Sequence, residues 1–133
     1  MIIDERMSAF IDSLDSGNPA RLNEIEKFAL ETQVPIIRRS MQSLLKFLLK
    51  FTKPKSILEV GTAIGFSALL MSEYAPEDCH ITTIEKYEKR IPIAKENFRK
   101  AGREGHQRCA QHDRERGHRV LQRREEPDRK SVV

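Results

Sequence analysis

Apolar residues recur at helical spacing through the first third of the chain. Between Asp4 and Asp15, Met7, Phe10, Ile11 and Leu14 predict a one-sided amphipathic helix. Ser16-Gly17-Asn18-Pro19 ends it and starts another, with Asn18 as N-cap and Pro19 as the first helical residue. That second helix, about 19–32, puts Leu22, Ile25, Phe28 and Ala29 on one face, and Thr32-Gln33-Val34-Pro35 breaks it, because proline disfavours helical geometry at the residue before it. A third helix, about 36–51, carries Ile37, Met41, Leu44, Leu48 and Phe51 as its core stripe. Arg38, Arg39, Gln42, Lys46 and Lys50 fill its other faces.

Past Lys53-Pro54 the pattern changes. Ile57, Leu58 and Val60 make a short apolar run with a β-branched residue at either end, which predicts a strand. Phe66 to Tyr74 reads as a helix stopped by Ala75-Pro76-Glu77-Asp78, and His80 to Glu85 as a second strand. Tyr87 to Ala101 follows as a helix with Ile91, Ala94, Phe98 and Ala101 on one face. Pro92 sits in its first turn, Glu96 and Lys100 pair at i,i+4, and Gly102 caps it. Three helices followed by β-α-β-α predict an α/β fold with parallel strands. Two such strands cannot be buried under helices on both faces, so the sheet is incomplete unless more strands follow.

The chemistry concentrates where the first strand meets its helix. Gly61-Thr62-Ala63-Ile64-Gly65 is a glycine-rich turn. Gly61 lets the chain bend and lets a ligand lie against bare backbone, and Gly65 opens the next helix, whose free N–H groups can face a polar or anionic ligand. A nucleotide-type ligand also needs an acceptor for its ribose hydroxyls at the end of the next strand, roughly 20 residues on, and Glu85 stands there. Position 63 is Ala, so the G-x-G-x-x-G of dinucleotide enzymes is not spelled; the wording is Glu-x-Gly-x-x-x-Gly, with Glu59 inside the strand end.

Ile57 to Ser67 followed by Thr83-Ile84-Glu85 resembles the S-adenosylmethionine site of class I methyltransferases. The Gly61-Thr62-Ala63-Ile64-Gly65-Phe66-Ser67 wording is similar to the metal-dependent catechol and caffeoyl-CoA O-methyltransferases, and among them to the bacterial tRNA 5-hydroxyuridine methyltransferases. The resemblance implies the N-terminal half of a doubly wound Rossmann-like fold preceded by three helices. It further implies that Gly61 and Gly65 allow backbone approach to the methionine part of the cofactor, that Thr62 and Ala63 line the turn, and that Ser67 hydrogen-bonds near the methionine. Glu59 would support the turn or the amino group, and Glu85 would hold the ribose. Val34-Pro35-Ile36-Ile37 matches the stretch that closes over the cofactor in the tRNA-modifying relatives, which makes Ile37 a further cofactor contact. Arg38 and Arg39 read as a solvated face, with reach to substrate phosphates as the other reading. The family's divalent metal, Mg, is implied as well, but its aspartate ligands have no counterpart here, and no catalytic residue is named.

Charge marks where the resemblance stops. Residues 1–102 hold 15 Lys/Arg against 14 Asp/Glu, and residues 103–133 hold 9 against 6, eight of the nine being Arg. No alternation or helical stripe shows between Glu104 and Arg119, so no third strand is expected there. The expected organisation is a helical segment 1–52, a partial cofactor unit 53–102 and an Arg-rich tail 103–133, disordered by composition or produced by a shifted reading frame near 102–106. His106, Cys109, His112 and His118 match no zinc spacing well, and the tail's arginines, with no aromatic among them, make a weak RNA arm.

Two cysteines support no disulfide framework, the N-terminus Met1-Ile2-Ile3-Asp4-Glu5-Arg6 is charged at once, and no apolar run approaches the ~20 residues of a membrane span, so a cytoplasmic protein is expected. The reading is methyl transfer from S-adenosylmethionine to a hydroxyl, with 5-hydroxyuridine in tRNA as acceptor, by a chain truncated relative to the family. The alternatives are a small hydroxylated aromatic acceptor, as in the catechol enzymes, and a non-catalytic remnant with a basic RNA-binding tail. An incomplete sheet beside apolar helix faces also favours a homodimer.

Overall fold

A computed structural model of the chain describes residues 5–15, 17–103 and 107–111. Helices α1 (Glu5–Ser13), α2 (Ala20–Glu31) and α3 (Arg39–Thr52) come first. Strand β1 (Ser56–Val60), helix α4 (Phe66–Tyr74) and strand β2 (His80–Glu85) follow. A 3₁₀ turn, Glu88–Arg90, leads into α5 (Ile91–Lys100), and strand β3 (Gln107–Gln111) comes last. The strands form one parallel sheet in the order β1-β2-β3, with Ile57 opposite Ile81 and Ile81 opposite Gln107. Three helices followed by this parallel β-α-β-α-β unit make the Rossmann-like arrangement expected.

α4 is the centre of the packing. Phe66, Ala68, Leu69, Leu70 and Met71 are all buried, so the helix is apolar around most of its circumference, which requires neighbours on several sides. α2 and α3 pack on it from outside and β2 from inside. Parallel crossovers are right-handed, so α4 and α5 lie on the same face of the sheet. Ile81, Thr83 and Glu85 of β2 are buried on that side, together with Ala94 and Phe98 of α5. Side chains alternate along a strand, so Leu58 and Val60 point the other way; they are 58% and 82% exposed, and no described element covers that face.

Three expectations are corrected. β3 occupies 107–111, where no strand pattern is legible; its backbone groups complete a ladder on the open edge of β2, and that pairing does not require an alternating sequence. Residues 104–106 and 112–133, with His106, His112, His118 and most of the arginines, lie outside the described residues. The second correction concerns α3, which begins at Arg39 and is turned relative to its expected stripe. Gln42 and Leu49 are buried, while Met41, Leu44, Leu48 and Phe51 are 41–76% exposed.

Gln42 explains the turn. Its Nε2 donates to Glu26 Oε1 and to the Ile37 carbonyl, both at 3.1 Å, and its Oε1 accepts from Asn18 Nδ2 at 2.7 Å. A buried amide so fully bonded is tolerated inside, and it links α2, α3 and the preceding loop. The third correction follows: Asn18 is spent on Gln42, and Pro19, with no side-chain bond, takes the N-cap of α2. At the other end of the chain Gly102, at φ +65°, closes α5 as expected, and Glu96 meets Lys100 at 3.8 Å as well as Arg99.

Candidate cofactor site

The turn after β1 is held by β2. The N–H groups of Gly61 and Thr62 both donate to the Ile84 carbonyl, at 2.8 and 3.2 Å, and the Gly65 N–H returns to the Thr62 carbonyl at 2.8 Å. The Ala63 N–H donates to Glu85 Oε2 at 2.6 Å. From α5, Asn97 Nδ2 holds the Ile64 carbonyl at 2.8 Å, and Phe98 lies directly over Gly65. Gly61, at φ +100°, faces open space: nothing lies within 4 Å of where a Cβ would sit. A ligand can therefore approach the backbone there.

This bonding changes the chemistry of the turn. The N–H groups of Gly61, Thr62, Ala63 and Gly65 are used within the chain. Beside these four groups, Glu59, Ser67 and Glu85 offer a ligand acceptors. Glu85 is 6% exposed and accepts the N–H groups of Lys86 and Tyr87 on Oε1, at 2.9 and 2.7 Å, so the end of β2 and the next turn wrap its carboxylate. Each carboxylate oxygen offers about two lone pairs, which leaves Oε2, bonded to the Ala63 N–H, capacity for a hydroxyl.

Glu59 lies one strand away, next to Thr83 in the β1–β2 register. Its Oε1 accepts the Ser67 hydroxyl and its Oε2 accepts the Thr83 hydroxyl at 2.8 Å. Thr83 Oγ1 is in turn 2.6 Å from Thr62 Oγ1. Burial holds the Glu59 carboxyl above its ordinary value of 4.5; the Ser67 and Thr83 hydroxyls pull the other way, and the neighbouring Glu85 charge adds to the rise. A carboxyl raised in the folded state binds its proton more tightly there than in the unfolded chain. Its contribution to stability is thus complete below pH 4.5 and is lost as the pH climbs through the raised value. Glu59→Gln is expected to raise the urea midpoint above that of the parent chain at pH 7, with the gap closing as the pH falls below 4.5. A gap that stays constant over that range would show that ionisation of Glu59 is not what burial opposes.

The residues expected at the site are therefore found in one group, with one exception. Glu59, Gly61, Thr62, Ala63, Gly65, Ser67 and Glu85 are joined by the bonds above. Ser67 differs in detail, because its proton goes to Glu59 and its oxygen remains an acceptor. Ile37 sits in the extended stretch before α3, half-buried against the hydrophobic core, and none of the bonds described ties it to the turn. Thr83, Asn97 and Phe98 support the site without having been anticipated. Thr83 could have been found from alternation: Ile81, Thr83 and Glu85 share the inward face, and a hydroxyl on a buried face needs a partner. Phe98 belongs to the apolar face expected of this helix, and Asn97 carries no local signal.

Among the described residues no three His, Cys, Asp or Glu side chains converge on a point that would hold a metal ion, and no helix is long and apolar enough to cross a membrane. A cavity of about 520 Å³ between α2 and α5, lined by Arg21, Ile25, Phe28, Ile93 and Glu96 among others, reaches Asn97 but none of the site residues expected from the sequence.

Comparison with known proteins is consistent with this arrangement. A Staphylococcus aureus protein described provisionally as a caffeoyl-CoA O-methyltransferase matches 83% of the chain at a TM-score of 0.74 and 33% identity. A Podospora anserina methyltransferase solved with S-adenosylhomocysteine bound matches 82% at a TM-score of 0.73 and 29% identity. The chain covers 52% and 48% of those two proteins, so it spans about half their length. A protein-L-isoaspartate O-methyltransferase from Methanococcoides burtonii is 36% identical over 55 residues, which is 41% of this chain and 27% of that protein. The sequence profile of the O-methyltransferase family matches residues 12–123, through the glycine turn and β2 and on past residue 102, where the resemblance was expected to stop. With a turn bonded to the next strand, a carboxylate at that strand's end and a family profile matching most of its length, this chain belongs to the O-methyltransferase family.

Proposed function

We propose that this chain binds S-adenosylmethionine and belongs to an enzyme that transfers its methyl group to a hydroxyl. The observation that carries this reading is the polarity of the site. The N–H groups of Gly61, Thr62, Ala63 and Gly65 are bonded within the chain, and the oxygens of Glu59, Ser67 and Glu85 stand beside them for a ligand. A dinucleotide needs N–H donors for its pyrophosphate; S-adenosylmethionine brings donors and positive charge of its own, in its ammonium, sulfonium and ribose hydroxyls.

In this reading Glu85 accepts the ribose hydroxyls while its backbone bonds hold it still. Glu59, with the Ser67 oxygen beside it, attracts the ammonium of the methionine part. Gly61 allows the ligand to lie on the backbone. The bound cofactor supplies an activated methyl on a cationic sulfur, and the chain's contribution is placement, which is how much of a transfer barrier can be lowered. No step is assigned to a metal, since no described residues converge to hold one.

For the acceptor, the wording of Val34-Pro35-Ile36-Ile37 and of the glycine turn supports 5-hydroxyuridine in tRNA. A small hydroxylated aromatic is the second reading, favoured by the likeness to the S. aureus protein described as a caffeoyl-CoA O-methyltransferase.

Calorimetric titration of the chain with S-adenosylmethionine, S-adenosylhomocysteine and NAD tests the first step. Saturable binding of the two sulfur ligands and none of NAD is expected. Binding of NAD as tight as theirs, or no binding of either sulfur ligand, would overturn it.

A further inference from the structure

The deepest polar group near the turn is one that no ligand can reach. Thr83 is 0% exposed, and Thr62 is 1% exposed. The Thr83 hydroxyl has one proton and two neighbours: Glu59 Oε2 at 2.8 Å and Thr62 Oγ1 at 2.6 Å. An ionised carboxylate can only accept, so with Glu59 charged the Thr83 proton points to Glu59 and the Thr62 proton must point to Thr83. The three groups then form a directed chain from the glycine turn, through β2, to the carboxylate of β1. Valine has the same branched shape and suits a buried strand position better, because it brings no hydroxyl to desolvate. A threonine here is explained by what its hydroxyl holds.

We propose that Thr83 is a positioning residue of the cofactor site: by bonding Glu59 and Thr62 at once, it aims the Glu59 carboxylate and fixes the glycine turn against β2, so that both meet the amino-acid end of the ligand. It touches no ligand atom itself. The inference rests on the S-adenosylmethionine reading above. Of the charged groups described, Glu85 is the one whose field acts on Glu59; Ser67 from α4 and Thr83 from β2 are its hydroxyl partners.

The test compares the parent chain with Thr83→Val and Thr83→Ser by titration with S-adenosylhomocysteine between pH 5 and 8, and follows the Glu59 side-chain carboxyl by ¹³C NMR over the same range. Losing one of the two hydroxyls that favour its anion, Glu59 in Thr83→Val should titrate at higher pH, and the pH below which affinity falls should move up with it. At pH 7 the affinity should drop roughly tenfold, the equivalent of one net hydrogen bond. Thr83→Ser keeps the hydroxyl and should restore both properties, which a packing role of the methyl group would not allow. Should valine prevent folding, Thr83→Cys, with similar volume and a weak donor, replaces it in the same comparison.

Parent binding with no change in affinity or Glu59 titration in the valine variant overturns the positioning role alone. Equal losses in the valine and serine variants overturn it in favour of packing. No binding by the parent chain overturns the cofactor reading, and the positioning role with it.

Discussion

Alanine at position 65 is expected to lower the unfolding free energy by about 2–4 kcal/mol, combining a left-handed backbone penalty with core overpacking. Gly65 has φ +86°, where any side chain is strained, and a Cβ built there would lie 2.6 Å from Phe98 Cε1 and 2.9 Å from Cζ. Relief would require the ring to move, but Phe98 is 3% exposed and belongs to the same core cluster as Phe66, Leu70 and Ala94. Against the roughly 5–15 kcal/mol that stabilises a typical domain, such a loss could leave a substantial unfolded fraction. Gly61→Ala provides the contrast. It shares the positive φ, at +100°, but its Cβ would meet nothing within 4 Å. It should cost only the backbone part, about 1–2 kcal/mol, while putting a methyl group where the ligand approaches the chain. Urea melts of both variants make the comparison; equal losses would mean that Phe98 gives way easily.

Glu85→Gln should weaken S-adenosylhomocysteine binding by about a hundredfold, through the loss of charge-assisted bonds to the ribose hydroxyls and of the turn's alignment. The second cause comes from the structure. The carboxylate accepts three backbone N–H groups, from Ala63 on one oxygen and from Lys86 and Tyr87 on the other. A glutamine has a single oxygen, so whichever way its amide faces, an NH₂ opposes at least one N–H. The same substitution should therefore destabilise the fold by about 1–3 kcal/mol, the cost of an unsatisfied buried donor. Parallel calorimetry and urea melts check both effects. Affinity within threefold of the parent chain would remove Glu85 from the ribose site, and an unchanged midpoint would mean that the three N–H groups find other partners.

These effects show what the sequence could and could not say. The β1 turn, β2 and its terminal carboxylate were legible because glycine, β-branched runs and strand ends impose local constraints. The bounds of α4 and β2 agree with the structure for that reason. The engagement of the turn's N–H groups was not legible, since it depends on Ile84 and Glu85 returning across the sheet. The face of α3 was misjudged because hydrophobicity favours Met41, Leu44, Leu48 and Phe51, whereas a bonded Gln42 decides which side packs. β3 left no trace in the pattern because the open edge of β2, and not an alternation of its own side chains, accounts for its pairing.

The two hydrogen bonds that the Gly61 and Thr62 N–H groups donate to the Ile84 carbonyl bear on how such a site can vary in evolution. The turn takes its position from a register between two strands and not from the length of chain that joins them. The roughly twenty-residue distance from glycine to carboxylate is then a by-product of one short helix and its return loop. Insertions around Ala75–Asp78 that leave Val60 beside Ile84 would keep every bond of the site, whereas a one-residue slip of β2 would turn Glu85 to the opposite face and dismantle it with no change of composition.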